Sequence, residues 1–161
     1  MNDLDHQSAV AMWSEFIARF PEHATEGQPP LERFGDSAEM AEELLDLVLH
    51  GPKRATAAAV VEFRAEKEPL PRIGSHWIAA DVDGQARAII RTRELRIGPL
   101  GSVDEAFAWD EGEGERTRSW WVDAHLKYFG RSCAQLGLEV NEHLELVFER
   151  FEVVWPPELA D

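Results

Sequence analysis

The run Gly51-Pro52-Lys53-Arg54-Ala55-Thr56 places a lysine and a threonine three residues apart, directly after a rigid stop. A lysine positioned by such a turn can hold an anionic phosphate, stabilise a developing oxyanion or, once deprotonated, act as a base. A threonine beside it can serve as an activated nucleophile. The plainer alternative is that Lys53 complements the negative end of a preceding helix and Thr56 is an ordinary strand residue. A second grouping spans Trp109 to Arg118, where Asp110, Glu111, Glu113 and Glu115 alternate with Gly112 and Gly114. The glycines allow a carboxylate to enter a cleft, where it can polarise a substrate, accept a proton or help hold a divalent cation. Against that, acidic residues ahead of a helix favour its dipole, and a Gly-Glu loop is usually solvated.

Aromatic and basic residues supply binding candidates. Trp77, Trp109, Trp120, Trp121 and Tyr128 offer surfaces on which a base could stack, although most are expected in the core. Trp120 falls off the apolar stripe of its helix and is expected to be partly exposed. His125 lies on that stripe and reads as a packed core histidine. Arg54, Arg91, Arg93, Arg116 and Arg118 are phosphate candidates, with Arg91 and Arg93 on one strand face. No zinc, P-loop, dinucleotide or Ser-His-Asp motif is present, and no helix carries a His-x-x-x-His pair, so no metal or cofactor is expected.

The elements that must position these residues follow from periodicity. Ala41, Leu44, Leu45, Val48 and Leu49 form one buried helical face ahead of the lysine turn. Asp36 with Glu39 fits a capping box at its start, and Gly51 with Pro52 fits a left-handed residue followed by a stop. Residues 5 to 20 read as a helix with Val10, Trp13, Ile17 and Phe20 on one side. After Thr56, Ala57 to Phe63 reads as a buried strand, although its alanines also suit a helix. His76 to Val82 and Ala86 to Ile97 read as strands joined by the turn signal Asp83-Gly84. Val103 to Trp109 and Thr117 to Phe129 read as helices, and Leu144 to Trp155 as a last strand. The strand beginning at Ala86 and the one beginning at Leu144 both change their apolar face partway along, which suits a small curled barrel.

On these residues the chain resembles the ASCH family, small barrels related to PUA domains. The resemblance runs from Phe34-Gly35-Asp36-Ser37 through Gly51, Lys53 and Thr56, then Pro69 to Gly74 and Glu111-Gly112-Glu113-Gly114, to Trp121, His125 and Trp155. It implies an α+β fold, a PUA-like mixed or antiparallel β-barrel flanked by helices, over residues 31–157, with residues 1–30 as an N-terminal helix and connector. It also implies three functions. The first is hydrolysis of single-stranded RNA in a cleft around Lys53, with Arg54, Arg91, Arg93, Arg116, Arg118 and Trp120 placing the strand. The second is removal of the acyl group from nucleosides of the N4-acetylcytidine type by a trio of Lys53, Thr56 and Glu111, with Glu113 as the alternative glutamate. The third is RNA binding without catalysis.

Composition bounds these options. The chain has 161 residues and a formal net charge of -15, which argues against a broad nucleic-acid-binding face. Lys53 to Arg131 holds 13 of the 16 basic and 13 of the 31 acidic residues, so that segment is neutral and can still carry a local basic cleft. The partner that the resemblance implies is RNA or a nucleoside. The single cysteine, Cys133, excludes an internal disulfide. With neither a signal-like start nor a membrane-length apolar run, a cytoplasmic protein is expected.

Overall fold

The computed structural model describes residues 1–161. Its elements are α1 (His6–Arg19), β1 (Leu31–Glu32), α2 (Ala38–Leu49), β2 (Ala55–Ala59), α3 (Val60–Glu66), β3 (His76–Ala80), β4 (Ala86–Pro99), α4 (Glu105–Glu111), α5 (Arg118–Ala134) and β5 (Glu145–Trp155). The strands form one five-stranded sheet in the order β1-β3-β4-β5-β2. It is mixed, with β1 parallel to β3 but β3–β4 and β2–β5 antiparallel. β1 and β2 are its edges, so the fold is the expected α+β arrangement of helices on a mixed sheet, and the sheet is not closed into a barrel. No helix is long and apolar enough to cross a membrane.

The chain divides into two compact units, one of Met1–Gly51, Gly74–Arg91 and Glu152–Asp161, the other of Pro52–Ile73 and Thr92–Phe151. In the first, Asp5 caps α1 by accepting from the amides of Gln7 and Ser8. The buried side of α1 is Ala9, Trp13 and Phe16, packed on Leu31, Ile78, Ala80 and Ile89. Val10, expected on that side, is 51% exposed. The face is rotated because Phe16 stacks on Trp13 at 5.1 Å and takes the inward place. The buried face of α2 is the expected one, Ala41, Leu44, Leu45, Val48 and Leu49. Its cap, however, is Ser37, whose hydroxyl accepts from the Met40 amide, rather than Asp36. Gly51 does not adopt a left-handed conformation; it is required because a Cβ there would sit 3.0 Å from the Leu47 carbonyl oxygen.

In the second unit the run Ala57 to Phe63 is not a single strand. β2 stops at Ala59, where its ladder with β5 ends at the pair Ala59↔Leu146, and α3 takes over from Val60. Alanine permits both conformations, so the end of the ladder, not the local sequence, sets the boundary. Ala55, Ala57 and Ala59 all pack on a core that includes Leu100, Phe107, Trp121, Phe129, Leu146 and Phe148. Small side chains on that strand face let α4 and α5 approach closely, and burying each aromatic contributes about 1.5–3 kcal/mol. Asp104 caps α4 and Thr117 caps α5, each through its side-chain oxygen.

A buried lysine–glutamate–histidine site

Glu111 is the last residue of α4, and Gly112 ends that helix in the left-handed conformation at φ 71°. The glycine is needed twice over, since a Cβ on it would lie 2.9 Å from the Lys53 amide nitrogen and 3.0 Å from the Pro52 carbonyl carbon. The Arg54 amide donates to the Asp110 carbonyl at 2.8 Å. The lysine turn and the glutamate loop are thus pressed together backbone against backbone, which brings their side chains to one place.

There Lys53 Nζ lies 3.6 Å from Glu111 Oε1 and 3.5 Å from Glu113 Oε2, and donates to the Ala55 carbonyl at 2.9 Å. Although it directly follows a helix stop, the Lys53 side chain is only 1% exposed. Glu111 Oε2 accepts from the Trp121 indole N–H, and Glu111 Oε1 faces His125 Nε2 at 2.8 Å. His125 Nδ1 faces the Trp121 carbonyl at 2.8 Å. A carbonyl can only accept, so Nδ1 carries a proton; with a carboxylate opposite Nε2, the ring is held as an imidazolium. It also stacks on the Trp121 indole, centroids 3.7 Å apart and planes 11° from parallel.

The two glutamates, two residues apart, are driven in opposite directions. Burial by itself would raise Glu111, but the charges of His125 and then Lys53 hold it well below the usual carboxylate range. Burial raises Glu113 to about 8, and the neighbouring charge of Glu111 adds to the shift. The same ion pair raises His125 against the effect of its own burial. Near neutrality the cluster therefore holds an ionised Glu111, a protonated Glu113 hydrogen-bonded to it, Lys53 and an imidazolium. Glu113 is the most exposed of the four, with 14% of its side chain open. Ligand atoms of Glu111, Glu113 and His125 lie within 4.8 Å of one another, as do those of His23, Glu26 and His76 elsewhere in the chain.

The other candidates are placed differently. Thr56 is half-buried in register with Glu149, and its side chain points away from the core face of Ala55 and Ala57. Its hydroxyl makes no hydrogen bond to Lys53 or Glu111. Arg54 donates to the Lys53 carbonyl, Arg118 to the carbonyls of Val103 and Gly101, and Arg116 to that of Trp109 while lying 3.6 Å over its ring. Arg91 and Arg93 are exposed on β4 on either side of buried Thr92, and Arg91 lies 3.9 Å from Glu152. Trp120 is half-buried against the Gly114 backbone, where a Cβ would come within 2.1 Å of the indole.

Sequence periodicity missed two participants. His125 was assigned to packing alone, because its partner Glu111 is fourteen positions away on another helix. Arg150 donates from Nε to Asp110 at 2.8 Å and braces the end of α4. No local pattern marks either residue.

A model of the ASCH domain matches residues 31–155, most of the chain, and the protein belongs to that family. A crystal structure of an Enterococcus faecalis V583 protein, described under the family model DUF984, superposes with TM-score 0.83 at 33% identity, over 93% of this chain and 90% of that one. An ASCH domain from Lactobacillus crispatus JV V101 gives TM-score 0.85 at 27% identity, over 95% of this chain and 97% of that one. No curated protein matches.

Proposed function

We propose that this ASCH-domain protein is an amidohydrolase of acylated cytosine nucleosides, working from residues 31–157 with the first thirty as an appended helix and connector. The observation that carries the proposal is the opposed pair of glutamates. A carboxyl kept protonated to about pH 8, beside one kept ionised, is a proton donor suited to a departing amine. In hydrolysis, water adds to the acyl carbon, the bond from that carbon to the exocyclic nitrogen breaks, and Glu113 protonates the nitrogen. The proton lost by the attacking water returns to Glu113. Lys53 and the His125 imidazolium offset the negative charge that develops on the acyl oxygen. Water takes the nucleophile's place because the Thr56 hydroxyl is not joined to this cluster.

A small neutral substrate also suits the basic residues available. Arg54, Arg116 and Arg118 are occupied by carbonyls of their own chain, and Lys53 is enclosed. The test is incubation with N4-acetylcytidine, following release of cytidine and acetate in wild type and Glu113→Gln. Release by wild type that falls at least a hundredfold in the variant is expected; no cytidine from the wild type would end the proposal. A second reading, cleavage or binding of single-stranded RNA, is favoured by exposed Arg91, Arg93 and Arg96 along β4. It predicts cleavage or retention of an RNA oligonucleotide in the parallel incubation.

A further inference from the structure

We propose that His23, Glu26 and His76 form a binding site for a divalent transition-metal ion, with Zn²⁺ the ion that their chemistry fits best. None of the three belongs to the lysine–glutamate–histidine cluster. Two imidazoles and a carboxylate are the borderline ligands that zinc takes, and three protein ligands leave a fourth position for water.

The geometry already converges. The Glu26 carboxylate spans both rings, Oε1 to His23 Nδ1 at 2.5 Å and Oε2 to His76 Nδ1 at 2.7 Å. The ring centroids of the two histidines are 4.8 Å apart. Both rings are held by aromatic packing before any ion arrives, since Phe16 stacks on His23 and Trp13 and Phe16 both press on His76. Fixing ligand rings in advance removes an ordering cost from binding. Gly27, directly after Glu26, adopts the left-handed conformation at φ 80°.

The His76 side chain is 1% exposed, and the nitrogen it turns to Glu26 is Nδ1, the same atom that His23 presents. These two Nδ1 atoms are the ones an ion would take. Binding requires the nitrogen–oxygen separations to widen to roughly 3.3 Å, the edge of a tetrahedron with arms of ~2.0–2.1 Å. Glu26 is exposed and can move by that amount without disturbing the core.

The experiment titrates metal-stripped, tag-free full-length protein with ZnCl₂ by calorimetry, and with CoCl₂ by visible absorption of the ligand-field bands. His23→Ala and Glu26→Gln are chosen because neither residue is buried, and Glu113→Gln controls for the other cluster of possible ligands. The expected result is one saturable site in wild type and in Glu113→Gln, with Co²⁺ absorption indicating four-coordination, weakened at least tenfold by His23→Ala and by Glu26→Gln. A Zn²⁺-dependent rise in melting temperature should be lost in the same two variants. Absence of saturable binding, or binding that survives both substitutions, would overturn the proposal.

Discussion

Glu113 offers the sharpest test at the scale of single residues. Its folded-state pKa is raised from 4.5 to about 8, so the native state favours its protonated form. The stability attached to that proton is fully present below about pH 4.5 and is lost as pH rises to about 8. Glu113→Gln, a permanent mimic of the neutral form, should therefore melt at an increasingly higher temperature than wild type as pH moves from 5 to 9. Equal pH profiles for the two proteins would show that Glu113 is not held neutral. The same proton makes a kinetic prediction under the proposed amidase chemistry: turnover should fall as pH rises through about 8. Lys53 tests differently, because its side chain is enclosed rather than at the surface. Lys53→Ala removes one of the two buried cations beside Glu111 and should cost about 3–5 kcal/mol in denaturant unfolding. Activity lost in that variant must consequently be read beside its stability.

At the scale of elements, the site depends on two chain segments meeting without side chains between them. Gly112→Ala puts a methyl group against Pro52 and Lys53 backbone at a residue with φ 71°, so neither side can yield cheaply. It should destabilise by about 2 kcal/mol or more and, under the proposed amidase chemistry, lower turnover with it, as thermal melts and rate assays would report. The cap of α2 gives a cleaner measurement. Ser37→Ala should cost about 1 kcal/mol, since the Ser37 hydroxyl receives the Met40 amide. Much at this scale was legible from the chain itself: the apolar face of α2, the hairpin at Asp83-Gly84, and the start of α5 at Thr117. What was not legible depended on neighbours. The end of β2 is set by how far β5 pairs with it, and the inward face of α1 is set by the stacking of Phe16 on Trp13.

For the whole molecule, charge separates the two functional readings. A nucleoside carries no phosphate, so its turnover should hardly change between 50 and 200 mM salt, about the range over which a protein contacting several phosphates loses orders of magnitude in affinity. Flat kinetics on N4-acetylcytidine with no RNA retention fits a chain of net charge -15. Steeply salt-dependent RNA binding would instead assign the exposed arginines of β4 to a backbone-contacting role. The candidate site was half legible for a related reason. Lys53 and Glu111 lie in short motifs that a reader of the chain can find, and the structure places their side chains 3.6 Å apart. The partners that decide their ionisation, His125 and Trp121, come from a different helix and carry no local mark.

The burial of Lys53 also makes it a clock. Lys67 and Lys127 are exposed, whereas Lys53 is covered in the native fold, so an amine-acylating reagent can modify the first two at once but must wait for the third. Each Lys53 acylation, resolved by peptide mass, would record one opening of the contact between the lysine turn and the Glu111–Glu113 loop. The rate of that modification, compared with and without substrate, would measure how often the site breathes and whether occupancy holds it shut.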